Sequence, residues 1–205
     1  SVALVFWAQR MLHFDLDGQY ADILEQSLFN NCMCGLSRDG EHYFYSNPLE
    51  NDGSHSRWAW HTCPCCTMNV SRLIASVGGY FVSHSDDAIA FHLYGGISTS
   101  VPLKGGRVAV RETSNYPWAG DIRISIDPET PAEFSVKVRI PGWTRGANVS
   151  VNGQEVDTAA AVNGYLDITR TWTRGDTVEL DLPMPAERLY AHPSVLMDVG
   201  RVALR

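Results

Sequence analysis

Hydrophobic and polar positions divide the chain into two regions. Residues 1–14 are apolar apart from Gln9, Arg10 and His13, a pattern that predicts a buried helix. Asp15-Leu16-Asp17-Gly18 is a turn, with Asp17 placed to cap the next helix. Tyr20, Ile23, Leu24 and Leu28 then recur at helical spacing as far as Asn30-Asn31. Residues 35–60 are rich in Gly, Asn, Ser and Pro and hold one short aromatic strand, Tyr43-Phe44-Tyr45. Val70, Leu73, Ile74 and Val77 fall on one face of a further helix, which Gly78-Gly79 ends.

From about His84 the period changes to that of strands. Residues 88–94, 107–113, 121–127, 134–140, 148–151, 165–169 and 177–182 alternate or run apolar. Turn signals separate them, and Asn152-Gly153 between Val151 and Val156 specifies a two-residue hairpin. Many short strands at this spacing predict a β-sandwich. The expectation is an α+β chain of two domains, with helices over 1–83, strands over 84–205 and a boundary near Ser83 to Asp87.

Composition narrows the function. Hydrophobic residues make up 44% and charged residues 19%, as in a globular protein. The net charge is -7 and no basic block exceeds two adjacent residues, which argues against a nucleic-acid partner. The longest apolar run, Val2 to Ala8, falls far short of the roughly 20 residues of a membrane span. The start lacks an initiator Met and the end, Val199 to Arg205, reads as a strand cut short, so both ends are expected to be cut from a longer protein. Six Trp and eight Tyr suit a sugar-binding protein and suit a β-rich core equally.

The five cysteines, at 32, 34, 63, 65 and 66, are odd in number and crowded into the first third. That pattern favours free thiols or metal ligands over a disulfide framework, and hence a reducing compartment such as the cytoplasm. Cys63-Pro64-Cys65-Cys66 stands just before a predicted helix, where the positive end of the helix dipole stabilises a thiolate. Three readings stay open from the residues alone: inert packing, a structural zinc site using Cys32, Cys34, Cys63 and Cys65 or Cys66, and a reactive thiolate. His61 beside Trp60 is open in the same way, as a structural residue or a site residue.

A series of motifs then runs in order: Tyr20-Ala21-Asp22-Ile23-Leu24-Glu25, Tyr43-Phe44-Tyr45-Ser46-Asn47-Pro48-Leu49-Glu50, Cys63-Pro64-Cys65-Cys66-Thr67-Met68-Asn69, Val138-Arg139-Ile140-Pro141-Gly142-Trp143, Trp172-Thr173-Arg174-Gly175-Asp176 and Leu182-Pro183-Met184-Pro185. This series resembles glycoside hydrolase family 127, the β-L-arabinofuranosidase family, over nearly the whole chain.

The resemblance implies an (α/α)₆ barrel, of which residues 1–83 would be the last part, followed by a jelly-roll-like β-sandwich. It implies a retaining exo-glycosidase acting on an arabinose-containing glycoside. Cys65 would be the nucleophile, and Cys65 and Cys66 zinc ligands. The other two ligands, in a Glu-x-Cys motif, and the general acid/base Glu would lie upstream of Ser1. Glu25 and Tyr45 would line the sugar pocket, with His61 beside them. Thr67 replaces the family's common Pro, and Cys32 and Cys34 fall where the family has no thiol. A 205-residue chain lacking the acid would be inactive alone, and its exposed helix faces would favour association with other copies. The competing functions are a non-catalytic carbohydrate-binding module with structural cysteines, and a family member acting on another plant-glycan sugar.

Overall fold

The structure is a computed structural model describing residues 1–48 and 50–205; Leu49, within the aromatic run Tyr43 to Glu50, lies outside the described residues. Three α-helices come first: α1 (Val2–Met11), α2 (Gly18–Gln26) and α3 (Cys65–Val77). Asp17 caps α2 as its position predicts, accepting the Gln19 backbone N–H at 2.9 Å. The helical run then widens into a π-helical turn over Ser27–Cys32 and a 3₁₀ turn over Met33–Gly35. Val5, Ala8, Leu24, Leu28, Cys32 and Leu73 form the core of this layer, with Leu93 from the strand region.

The first helix, whose pattern predicts burial in a longer protein and exposed faces in this chain, is buried on one face only. Val5 and Ala8 are buried, whereas Leu4, Trp7 and Phe14 are exposed, because α1 packs on α2 and α3 through one face only. Ile74 of α3 is likewise exposed, and Leu73 carries the buried contact.

The strand region builds two main sheets. One has four strands in the order β1 (Val82–His84), β2 (Ala88–Phe91), β6 (Ala132–Arg139) and β9 (Tyr165–Trp172), with β2 and β6 parallel. The other has six strands in the order β3 (Ser98–Leu103), β4 (Gly106–Ser114), β5 (Asp121–Pro128), β10 (Asp176–Asp181), β7 (Asn148–Val151) and β8 (Gln154–Val156), all antiparallel. Inward residues of both sheets, among them Phe134, Val136, Ile124, Ile126, Val178 and Trp172, share one apolar core. Asn152 and Gly153 join β7 to β8 with φ of 51° and 77°, the left-handed pair of a type I′ hairpin. A short pair, β11 (Arg188–Leu189) with β12 (Ala203–Leu204), follows. No helix among the described residues is long and apolar enough to cross a membrane.

The helical layer docks on the four-stranded sheet through polar contacts. The Gly18 backbone N–H donates to the Asn163 carbonyl at 2.7 Å, and a side chain on Gly18 would meet Asn163 and Gly164 backbone at 3.1 Å. Arg139, at the end of β6, is fully buried. Its Nη1 reaches Asp22 Oδ1 at 2.8 Å and its Nη2 reaches Glu25 Oε1 at 2.6 Å. The Trp143 indole donates to Glu25 Oε2 at 3.0 Å, the Tyr116 hydroxyl donates to Glu25 Oε1, and the Gly142 N–H donates to Asp22 Oδ2 at 3.0 Å. Burial first, and then the Glu25 charge, push the Tyr116 phenol above its ordinary range. A Cβ at Gly142 would lie 2.5 Å from Asp22 Oδ2, so a larger residue there would push the Asp22 carboxylate out of its present place.

His92 lies in the same junction. Its Nδ1 faces the Tyr165 hydroxyl at 2.7 Å and its Nε2 faces Ser83 Oγ at 2.7 Å. Burial, and next the Arg139 charge, lower its pKa from 6.5 to about 3. The unfolded chain therefore takes up a proton near pH 6.5 that the folded chain refuses until about pH 3. Stability from this group is complete above pH 6.5 and drains away as pH falls through that window. Denaturant unfolding at pH 6.5 and pH 4.5 is expected to show a loss on the order of 2–3 kcal/mol from His92. His92→Gln should lose less over the same interval; parallel losses in both proteins would refute the attribution.

Candidate active site

Cys65 and Cys66 are the first two residues of α3, and Pro64 precedes them without a side-chain cap. The first turn is fixed by neighbours. Thr67 Oγ1 donates to the Pro64 carbonyl at 2.9 Å, and Asn69 Nδ2 donates to the Cys65 carbonyl at 2.8 Å. The first backbone N–H groups at this end have no partners within the helix and form the positive end of its dipole. Both cysteines line a cleft of about 580 Å³ with Tyr45, Asn30, Asn69 and Arg72.

The Tyr45 phenol faces the thiols. Its pKa is raised by the neighbouring charge of Cys65 foremost, then by Cys63 and Cys66. The Tyr45 ring stacks on His61 at 4.0 Å between centroids and 18° between planes. Trp58 stacks on His61 at 4.9 Å and 15°, and stands 6.2 Å from Tyr45 at 5°. His61 Nδ1 lies 3.1 Å from both the backbone N–H and the carbonyl of Cys63. Three near-parallel rings thus lead from the loop to the thiols.

The structure therefore brings Cys65, Cys66, Tyr45 and His61 together, His61 through Tyr45 rather than as a wall of the cleft. It does not bring Glu25 there. That carboxylate is buried in the Arg139 junction with both oxygens engaged, neither a solvated helix-face charge nor a lining residue of the cleft. Nor do four cysteines assemble. Cys32 is buried in the helical core, where burial raises its thiol pKa. The Cys34 thiol donates to the Asn30 carbonyl at 2.7 Å and accepts from Asn47 Nδ2 at 3.1 Å.

Cys65 and Cys66 do have the spacing of two metal ligands. Tetrahedral zinc with Zn–S of ~2.3 Å holds two sulfurs about 3.8 Å apart, and the Cys65 and Cys66 sulfurs stand 3.8 Å apart. Among the described residues, the group of three metal-capable side chains within 4.8 Å of one another is Asp39, Glu41 and His42, with no cysteine in it. Two sulfurs at this spacing would fit two of the four positions around a tetrahedral ion. Trp58 escapes a reading of the sequence because the signal nearest it, Trp60-His61, draws attention to the wrong tryptophan: Trp60 is 69% exposed, and no ring of the stack is its partner.

Comparison with known proteins places this arrangement among the glycoside hydrolases. The family model for the GH127 catalytic domain of β-L-arabinofuranosidase matches residues 1–79, and that for the GH127 middle domain matches residues 88–184. The chain belongs to glycoside hydrolase family 127. It is 35% identical to a non-reducing end β-L-arabinofuranosidase of Bifidobacterium longum, an alignment covering all of this chain and 33% of that protein. The crystal structure of a GH127 β-L-arabinofuranosidase from Geobacillus stearothermophilus T6 superposes with a TM-score of 0.93 at 42% identity, covering 100% of this chain and 34% of that one. A second solved GH127 β-arabinofuranosidase gives a TM-score of 0.93 at 36% identity, covering 98% of this chain and 34% of that one. The chain spans about a third of the length of these relatives.

Proposed function

We propose that the parent protein is a retaining exo-glycosidase acting on a β-L-arabinofuranoside, with Cys65 as nucleophile. The observation that carries this reading is the pair of sulfurs 3.8 Å apart at the start of α3, on a cleft shared with Tyr45. Residues 1–83 then belong to an (α/α)₆ catalytic barrel and residues 84–205 to a jelly-roll-like β-sandwich. Cys65 and Cys66 hold zinc, which keeps coordinated thiols ionised at neutral pH. The two remaining ligands and the general acid come from parts of the parent protein beyond these 205 residues. The five cysteines are free, which fits a reducing compartment such as the cytoplasm.

The chemistry is a double displacement. The Cys65 sulfur attacks the anomeric carbon, a C–S bond forms, the glycosidic C–O bond breaks, and the departing oxygen takes a proton from the general acid. Water then attacks the same carbon and gives its proton to the conjugate base. The C–S bond breaks and the thiolate is restored. Two inversions leave the anomeric configuration retained. Tyr45 orients the sugar beside the sulfur, and His61 supports Tyr45. Glu25, held in the Arg139 junction, anchors α2, which packs on α1 and through it on the helix that carries the two cysteines.

A mechanism-based arabinofuranosyl inactivator applied to the full-length protein is expected to leave one sugar on the Cys65 sulfur, located by peptide mass spectrometry. An adduct on Glu25 or another carboxylate would overturn the reading. Metal analysis should find about one zinc per chain, and a zinc-free, fully active preparation would remove the metal from the mechanism.

A further inference from the structure

The segment between Gly35 and Cys65 carries the site yet has almost no apolar core: of its described side chains only Tyr43 is buried. Backbone pairing and stacked rings hold it instead. Tyr43 and Trp58 exchange two backbone hydrogen bonds, at 3.0 and 2.8 Å, and Tyr43 bridges on its other side to Leu36. Arg57 lies over the Phe44 ring at 4.4 Å and donates to the carbonyls of Cys34 and Gly35 at 2.9 and 3.2 Å. His55 stacks on the same Phe44 at 5.1 Å and 11°. Trp58 is anchored by this lattice and presents its ring to His61, which grips the Cys63 backbone and stacks on Tyr45 against the thiols.

We propose that Trp58 is a positioning residue for the Cys65 sulfur, acting through His61 on both the Tyr45 hydroxyl and the Cys63-Pro64 turn that starts α3. The inference rests on Cys65 being the nucleophile. Its physical basis is rotational freedom: an imidazole packed near-parallel against both a tyrosine and a tryptophan ring swings less freely about its side-chain bonds, which favours the rotamer that contacts Cys63. With Trp58 removed, His61 keeps one stacking partner and can turn away. The Cys63 turn is then tied to the anchored Tyr43–Trp58 bridge only through the chain. A sulfur displaced by about 1 Å leaves the line of attack, and an error of this size lowers rates by up to about 100-fold.

The test is a double-mutant cycle in the full-length enzyme, read by kcat, KM, zinc content and the thermal midpoint. Trp58→Ala is expected to lower kcat roughly 10- to 100-fold, with KM within about threefold and zinc still bound. Trp58→Phe, which preserves a stacking face, should recover most of the lost kcat. Trp58→Ala should add little to His61→Ala, because a residue that acts only through its neighbour has nothing left to act through. General loss of packing would instead give additive effects and follow the thermal midpoint. Wild-type kcat in Trp58→Ala overturns the inference, and so do strictly additive effects in the cycle. If Cys65→Ser retains full activity, the nucleophile reading fails, and the inference with it. If Cys65→Ser is inactive while Trp58→Ala matches wild type, only the role of Trp58 falls.

Discussion

Cys65→Ser in the full-length enzyme is expected to abolish turnover, while Cys66→Ser is expected to lower activity in step with zinc content. The two sulfurs are neighbours on one helical turn and share a cleft, so position alone does not separate them. Their expected roles do. A serine hydroxyl in place of the Cys65 thiol is ionised far less readily and is a poor nucleophile without an adjacent base, so the glycosyl transfer itself is lost. Substrate binding should survive in part, since the cleft walls, Tyr45 among them, are untouched. Serine at position 66 removes a soft ligand from the metal and leaves the nucleophile in place. Added zinc should therefore restore part of the Cys66→Ser activity and none of the Cys65→Ser activity. The measurements are kcat, isothermal binding of substrate to the inactive variant, and zinc per chain before and after reconstitution. Turnover by Cys65→Ser at more than a few per cent of wild type would place the nucleophile elsewhere.

Much of this arrangement is legible in the amino-acid sequence because it depends on local chemistry. The cap at Asp17 and the hairpin at Asn152-Gly153 each depend on residues within four positions, and each is found where expected, whereas α3 takes into its first turn Cys65 and Cys66, which the sequence pattern places just before it. The edge strand β3 is not legible, because Ser98-Thr99-Ser100 gives no apolar alternation and Pro102 argues against a strand interior. At an edge, proline costs no ladder bond if its nitrogen faces outward, and pairing with β4 supplies what propensity lacks. The aromatic run Tyr43 to Tyr45 yields only bridges at Tyr43, so a strand signal becomes an anchor for a loop. Glu25 is hidden for a different reason. A carboxylate on an amphipathic helix has no local mark that it will meet an arginine 114 residues later. One sign is present: Asp22 and Glu25 stand three positions apart and so share a helix face, while Arg139 sits in an apolar strand, the setting in which a charge needs buried partners.

Replacing Arg139 with Met is accordingly expected to destabilise the protein by about 3–5 kcal/mol, the cost of leaving buried carboxylates without their counter-charge. Burial works to discharge Arg139, but the charges of Glu25 and then Asp22 outweigh it and hold the guanidinium ionised. Methionine fills a similar volume and isolates the electrostatic loss from a cavity. The Glu25 side chain carries most of the effect because it is 8% exposed, whereas Asp22, at 33%, can turn partly to water. Glu25→Gln in the Arg139→Met background should recover a substantial part of the loss: the amide oxygen can accept from the Trp143 indole while the amide NH2 donates to the Tyr116 hydroxyl oxygen, and neither bond needs a cation. Glu25→Gln alone should destabilise, since it leaves Arg139 with Asp22 as its sole acid, and Arg139 Nε already lacks a hydrogen-bond partner among the described residues. The cycle is read by denaturant unfolding at fixed pH. Additive losses from Glu25→Gln and Arg139→Met, or an Arg139→Met protein within about 1 kcal/mol of wild type, would show that the junction is held by apolar packing instead. Catalysis gives an independent readout. Asp22 and Glu25 both lie on α2, which packs on α1 and, through it, on α3. Loosening this anchor should lower kcat in the full-length enzyme at temperatures well below unfolding, although neither carboxylate nor guanidinium lines the cleft of Cys65.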